Sequence, residues 1–278
     1  MRAPAFIAAL CLSAAGCTFL FPLDDVGGSS ATDAGASPPT PAPDAARDAA
    51  SDAPLLAYPA AVLADAPVLY LRFGEKSGSD ARDETGNRPS LYGPKATLGA
   101  KGALLNDADT AATFTGADSS TVHIPAGLDF PGRAPFTLEV WAMQTATTDF
   151  GWAVDHQVYG AGRNSWGLRF SPGGIGLDRY ADNMLSNVSG PLPLTLNTYQ
   201  HVVTAYDGTM VTIYVDGKAV QTGTSTNMMH PMSGGWAAGS QNCGCSSSNF
   251  IGSLDELAVY DKALPAARVL AHYHASGR

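Results

Sequence analysis

Two alternating runs punctuated by Asp-Gly pairs limit what this chain can become more than any other feature it has. The stretch from Tyr199 to Gly223, YQHVVTAYDGTMVTIYVDGKAVQTG, reads as strand, tight turn, strand, tight turn, strand. Val203 and Ala205, then Val211, Ile213 and Val215, recur with period two and are expected to supply one apolar face. Asp207-Gly208 and Asp216-Gly217 supply the positive-φ positions that hairpin turns demand. A β-meander of this kind belongs to an all-β domain.

From Tyr58 onward the rest of the chain agrees, with short alternating runs each ended by Gly, Pro, Asn or Asp. Further strands are expected at Val68–Phe73, Ala111–Phe114, Thr121–Ile124, Phe136–Met143, Trp152–Val158, Trp166–Phe170, Gly176–Tyr180, Gly235–Ala238 and Ile251–Tyr260. Only Ala60–Asp65 and Pro265–Tyr273 read as helical, the latter with Val269, Leu270 and Tyr273 at helical spacing. The count and turn spacing predict one domain over 58–278, an all-β, two-sheet antiparallel jelly-roll sandwich with a short C-terminal helix.

The first 57 residues are of another kind. Arg2, the apolar run Ala5–Ala15 and the small residues before Cys17 form an export signal over 1–16. No other run of about eighteen apolar residues occurs, so nothing else is expected to span a membrane. Residues 17–57 form an Ala/Pro/Asp-rich linker with no aromatic residue between Phe21 and Tyr58, too poor in apolar surface to offset its ordering entropy. Six Asp against Arg47 place five of the chain's nine net negative charges there. The folded part is therefore only mildly acidic and has no Lys/Arg cluster, which argues against a nucleic-acid partner.

The meander resembles the laminin-G-like, concanavalin A-like lectin/glucanase jelly-roll family, whose members carry a WHHVVVTYDG…LYVDG pattern at this point. AVLADAPVLYLRFGE (Ala61–Glu75), FTLEVWAM (Phe136–Met143) and IGSLDELAVYDKALPAARVLAHY (Ile251–Tyr273) extend the likeness over almost all of the domain. The segment Thr145–Pro193 matches only as alternating strands, and ligand specificity would vary there. Ala14-Ala15-Gly16-Cys17 in turn resembles the lipobox of bacterial lipoproteins, which implies acylation of Cys17; an ordinary secretory signal is the alternative.

Candidate chemistry divides unevenly. The superfamily contains glycoside hydrolases, which need two carboxylates facing one another, commonly as Glu-x-Asp-x-x-Glu on one strand. Here Phe136–Met143 carries Glu139 alone, Asp255 and Glu256 are expected on opposite faces of their strand, and no G-x-S-x-G elbow exists. A hydrolase is thus the least favoured reading. Calcium, which takes about six to eight oxygens, has a better case: Asp83-Glu84-Thr85-Gly86-Asn87 resembles the family's DxSGN loop, implying Asp83, Asn87 and Asp255 as ligands. Asx-type turns without an ion are the alternative.

Carbohydrate recognition calls for an aromatic platform ringed by polar groups. Trp152 and Trp166 are the stacking candidates, with His156 and Arg169 beside them, although a strand Trp is more often packing; Trp141 is assigned to packing outright. Cys243 and Cys245 have only each other in the mature chain, and a local disulfide, two free thiols and half of a metal site stay open. The reading as a whole is an exported, membrane-anchored, non-catalytic binding or adhesion module for a glycan or a cell-surface protein. An envelope structural or interaction domain without a small ligand is the rival, and it requires the middle aromatics to be buried.

Overall fold

The computed structural model describes residues 57–158, 164–190, 195–242 and 249–278. The signal segment, Cys17, the linker up to residue 56, Cys243 and Cys245 lie outside the described residues. In chain order the elements are α1 (Tyr58–Ala64), β1 (Leu69–Leu71), β2 (Asp80–Ala81), β3 (Ser90–Tyr92), β4 (Thr97–Lys101), β5 (Thr110–Thr115), β6 (Val122–Ile124), β7 (Phe136–Gln144), β8 (Gly151–Val158), β9 (Asn164–Ser171), β10 (Gly174–Ala181), β11 (Met184–Gly190), β12 (Gln200–Tyr206), β13 (Met210–Val215), β14 (Lys218–Thr224), β15 (Trp236–Ala238), β16 (Ile251–Tyr260) and α2 (Ala266–Ala275). None of the described helices is long and apolar enough to cross a membrane.

The strands form two antiparallel sheets, as expected. The first runs β14-β13-β12-β7-β16-β5-β4, with β1 also on β16; the second runs β11-β10-β9-β8-β15-β6-β3-β2. The Asp-Gly turns adopt the geometry their residues suggest: Gly208 sits at φ 101°, and Asp216 and Gly217 at 48° and 75°. Between the sheets lies the main core, where Leu138, Val140, Val202, Ile213 and Leu254 meet Trp166, Leu168, Phe170, Leu177 and Trp236.

The meander's faces divide differently from the expectation. Val211, Ile213 and Val215 face the main core, but Val203 and Ala205 point the other way, into a second core with Tyr58, Val62, Trp141, Tyr214, Ala258, Tyr260 and Val269. Helices α1 and α2 cover the outer face of the first sheet, so β12 is buried on both faces and its apolar residues no longer identify one side. Pro59 starts α1, and Val269 and His272 of α2, three apart, turn inward together.

Asp255 and Glu256 also depart from simple strand alternation. The register of β16 against β7 slips between Asp255 and Ala258, and Glu256 takes φ 53°, so a bulge replaces simple alternation there. Leu254 and Leu257 keep to the main core while both carboxylates turn to the opposite side. Burial, reinforced by the neighbouring Glu256, pushes the Asp255 carboxyl up.

Candidate functional site

The outer face of the first sheet is rich in polar groups but closed. Glu139, fully buried, accepts hydrogen bonds from Tyr58 Oη at 2.8 Å, His201 Nε2 at 2.8 Å and Tyr260 Oη at 2.8 Å, and from His272 Nδ1 at 3.0 Å. His272 Nε2 lies 2.9 Å from Asp65 Oδ2 and 3.1 Å from the Ala61 carbonyl. Both ring nitrogens face acceptors, and the charge and hydrogen bonds of Glu139, with Asp65, raise His272 above the ordinary histidine value despite its burial. These groups fasten α1 and α2 to the sheet, and no substrate reaches them.

Among the predicted calcium ligands, Asp83 is already satisfied. Its Oδ1 accepts from the Tyr70 and Thr85 amides, each at 3.0 Å, and its Oδ2 accepts from Thr85 Oγ1 at 2.7 Å and from the Asn87 and Arg88 amides at 3.2 and 3.0 Å. Asn87 turns its side-chain amide to Thr85 Oγ1 at 3.1 Å, and Asp255 Oδ2 accepts from the Ala103 amide at 2.7 Å. Two carboxylate oxygens that together accept five N–H and O–H donors are not disposed toward a cation. Among the described residues no group of three or more His, Cys, Asp or Glu could hold a metal. Asp83 and Asn87 fit the Asx-turn alternative, whereas Asp255 bonds the Ala103 amide and not that loop.

The predicted aromatic platform separates into parts. Trp166 has no exposed surface and lies in the main core, its ring 4.0 Å from Trp236 and 5.2 Å from Phe136. His156 is buried beside it, donating from Nε2 to the Gly234 carbonyl at 3.0 Å, and burial pushes its pKa down to about 4. Both are packing residues, which corrects their assignment to a ligand. Trp152 and Arg169 do share the outer face of the second sheet, paired across β8 and β9. Trp152, however, is 3% exposed and packs close against Gly167, where an added Cβ would stand 2.6 Å from its ring. Arg169 Nε donates to Asp178 Oδ2 at 2.8 Å and Nη1 to Ser171 Oγ at 3.0 Å.

That outer face carries a better candidate. Leu91, His123, Ala237, Asp155, Gly167, Asp178 and Asn187 stand side by side in register from β3 to β11. Over β6 and β15 the row opens into a polar cleft of about 300 Å³, lined among others by Asp118, Ser119, His123, Gln241, Asn242 and Asn249. Asp118, Ser119 and His123 are exposed at its rim. Its opposite wall is held firmly. Asn249 Oδ1 accepts from the Gln241 amide at 3.1 Å, the Asn242 amide donates to Asp155 Oδ2 at 2.9 Å, and Gln241 Nε2 donates to Gln157 Oε1 at 3.0 Å.

A larger recess of about 660 Å³ lies over the Asp83 loop. Three of its polar side chains are committed elsewhere: Asp83 as above, Glu75 to Tyr92 Oη at 2.7 Å and the Arg82 amide at 2.8 Å, and Arg88 to the Gly127 carbonyl at 2.8 Å. The smaller cleft keeps Asp118, Ser119 and His123 exposed at its rim and is the candidate site. Sequence reasoning missed it because its residues come from two loops and a strand, with no motif and no aromatic to mark them.

A family model described as the Concanavalin A-like lectin/glucanases superfamily matches residues 115–270, more than half of the chain. No curated protein matches it in sequence. Among solved structures, domain 4 of AbnA, a GH43 extracellular arabinanase from Geobacillus stearothermophilus in complex with arabinotriose, aligns with TM-score 0.56 at 18% identity, covering 74% of this chain and 97% of that one. The botulinum neurotoxin serotype D ligand binding domain in complex with N-acetylneuraminic acid aligns with TM-score 0.58 at 12% identity, covering 77% of this chain and 52% of that one. The binding domain of Paraclostridial Mosquitocidal Protein 1 gives TM-score 0.58 at 12% identity, covering 74% of this chain and 51% of that one. The chain thus spans about half the length of the toxin domains. At these identities the likeness is one of fold.

Proposed function

Because the chain belongs to the Concanavalin A-like lectin/glucanases superfamily, we propose that it is a non-catalytic, exported carbohydrate-binding module, held to a membrane through an acylated Cys17. The observation that supports this most is the polar cleft, where a carboxylate, an imidazole, amides and hydroxyls converge, the donors and acceptors that sugar hydroxyls pair with. Two of the similar structures are complexes with sugars, arabinotriose and N-acetylneuraminic acid. The described lining of the cleft includes Asp118 and no Lys or Arg, which favours a neutral sugar over an acidic one. Against hydrolysis stands the burial of the adjacent Asp255 and Glu256, 1% and 0% exposed.

A glycan array of the folded full chain tests this. Neutral glycans are expected to bind, with Asp118→Ala, His123→Ala and Asn242→Ala each weakening affinity by about tenfold, the equivalent of one hydrogen bond. Binding that survives all three changes would place the ligand elsewhere.

A specific observation favours a second reading, an envelope interaction domain without a small ligand. All four tryptophans are buried, Trp152 being the most exposed at 3%, so none offers a ring for stacking. Absence of any glycan binding by folded protein, with a protein captured instead, would select it.

A further inference from the structure

We propose that Arg72 is the built-in cation of this domain, its guanidinium fastening the seam between the two ends of a fold for which the family resemblance implies calcium. Arg72 Nη2 lies 2.9 Å from Asp107 Oδ2, 2.9 Å from Asp109 Oδ2 and 2.9 Å from Glu256 Oε1, and Nε donates to Glu256 Oε1 at 3.0 Å. The carboxylates come from the loop before β5 and from the β16 bulge, while Arg72 itself follows β1. One side chain thus joins three segments far apart in sequence.

The backbone is shaped around this contact. A Cβ at Gly74 would fall 1.9 Å from Asp109 Oδ1, and one at Gly102 would meet the Asp109 carbonyl at 2.7 Å and Asp255 Oδ2 at 3.2 Å, so both positions need glycine for the carboxylates to close in. Phe73, next to Arg72, and Glu256 itself take φ 58° and 53°, left-handed values unusual for such residues. The recess alongside, about 320 Å³, adds Glu75 and Glu84. Burial pushes Glu256 up to about 7 even though the Arg72 charge and hydrogen bonds lower it. A planar fork of N–H donors suits several carboxylates at once, whereas Ca²⁺ would need about six to eight oxygens, and Asp83 has none to give.

Calorimetric titration of the full chain with calcium chloride, and thermal unfolding in calcium against a chelator, test the proposal. The expected results are no saturable heat and unfolding midpoints within about 1 °C of each other, since a ligand that does not bind cannot shift the midpoint. Arg72→Ala is expected to lower the midpoint by about 5–10 °C, and Arg72→Lys to recover only part, lacking the fork. A fall of several degrees in chelator for the unchanged protein would overturn the proposal, as would an Arg72→Ala midpoint left where it was. Should Arg72→Ala fail to fold, Arg72→Lys and the unchanged protein still decide. None of these outcomes depends on glycan binding.

Discussion

Replacing Glu139 by alanine is expected to lower the unfolding free energy by about 3–5 kcal/mol, the usual result of leaving a buried charge without its partner. Glu139 has no exposed surface, and burial alone would raise its carboxyl; His272 and His201, paired and hydrogen-bonded to it, hold it well below the usual carboxylate range instead. Its removal strands the Tyr58 and Tyr260 hydroxyls and both imidazoles together. Glu139→Gln, which keeps the volume but not the charge, is expected to fall between. Denaturant unfolding of the three proteins measures this, and a loss below about 1 kcal/mol for the alanine variant would show that the network contributes little.

The same cluster sets a pH dependence. His272 is raised above the ordinary histidine value by Glu139 and then Asp65, although burial opposes this. A group raised on folding stabilises fully below its unfolded pKa, about 6.5, and that contribution disappears as pH climbs through the raised value. Stability is therefore expected to decline as pH rises above about 6.5, and Glu139→Ala is expected to remove most of that decline. An identical alkaline slope in both proteins would assign it to other groups.

Trp166→Ala is the other large effect, about 3–5 kcal/mol, the range for truncating a buried aromatic. The indole contacts Phe136 on β7 of the first sheet and, on its own side, Trp236 edge-on at 83°, so it bridges the layers rather than lining one. Trp166→Phe retains part of the contact and is expected to lose less while leaving any glycan affinity per folded molecule intact. If Trp166→Phe lost glycan affinity with an unchanged unfolding midpoint, a packing role would be wrong.

The sandwich was legible because its longest strands and its Asp-Gly turns use local rules. Phe136–Met143 and Ile251–Tyr260 are almost the observed β7 and β16, and the meander closes as read. What escaped has definite causes. The edge strands Thr97–Lys101 and Met184–Gly190 are largely exposed and carry weak apolar alternation. Faces were misassigned in β12 because helices bury its second side, and in β16 because a bulge adds a residue that periodicity cannot register. The site suffered most. Large aromatics signal binding and packing alike, and here Trp166 and His156 went inside, whereas His123 and Asn242 gain meaning only once β6 and the loop after β15 are neighbours.

The placement of α1 also bears on mechanics. The chain enters this domain at Tyr58, on the helix-covered face of one sheet, while the cleft opens on the far face of the other. Tension applied through the preceding residues would first load the Tyr58–Glu139 and Arg268–Asp65 contacts, 2.8 and 2.7 Å long, and peel a helix, not unzip a strand. The cleft therefore lies on the opposite side of the sandwich from the helix through which such tension would enter.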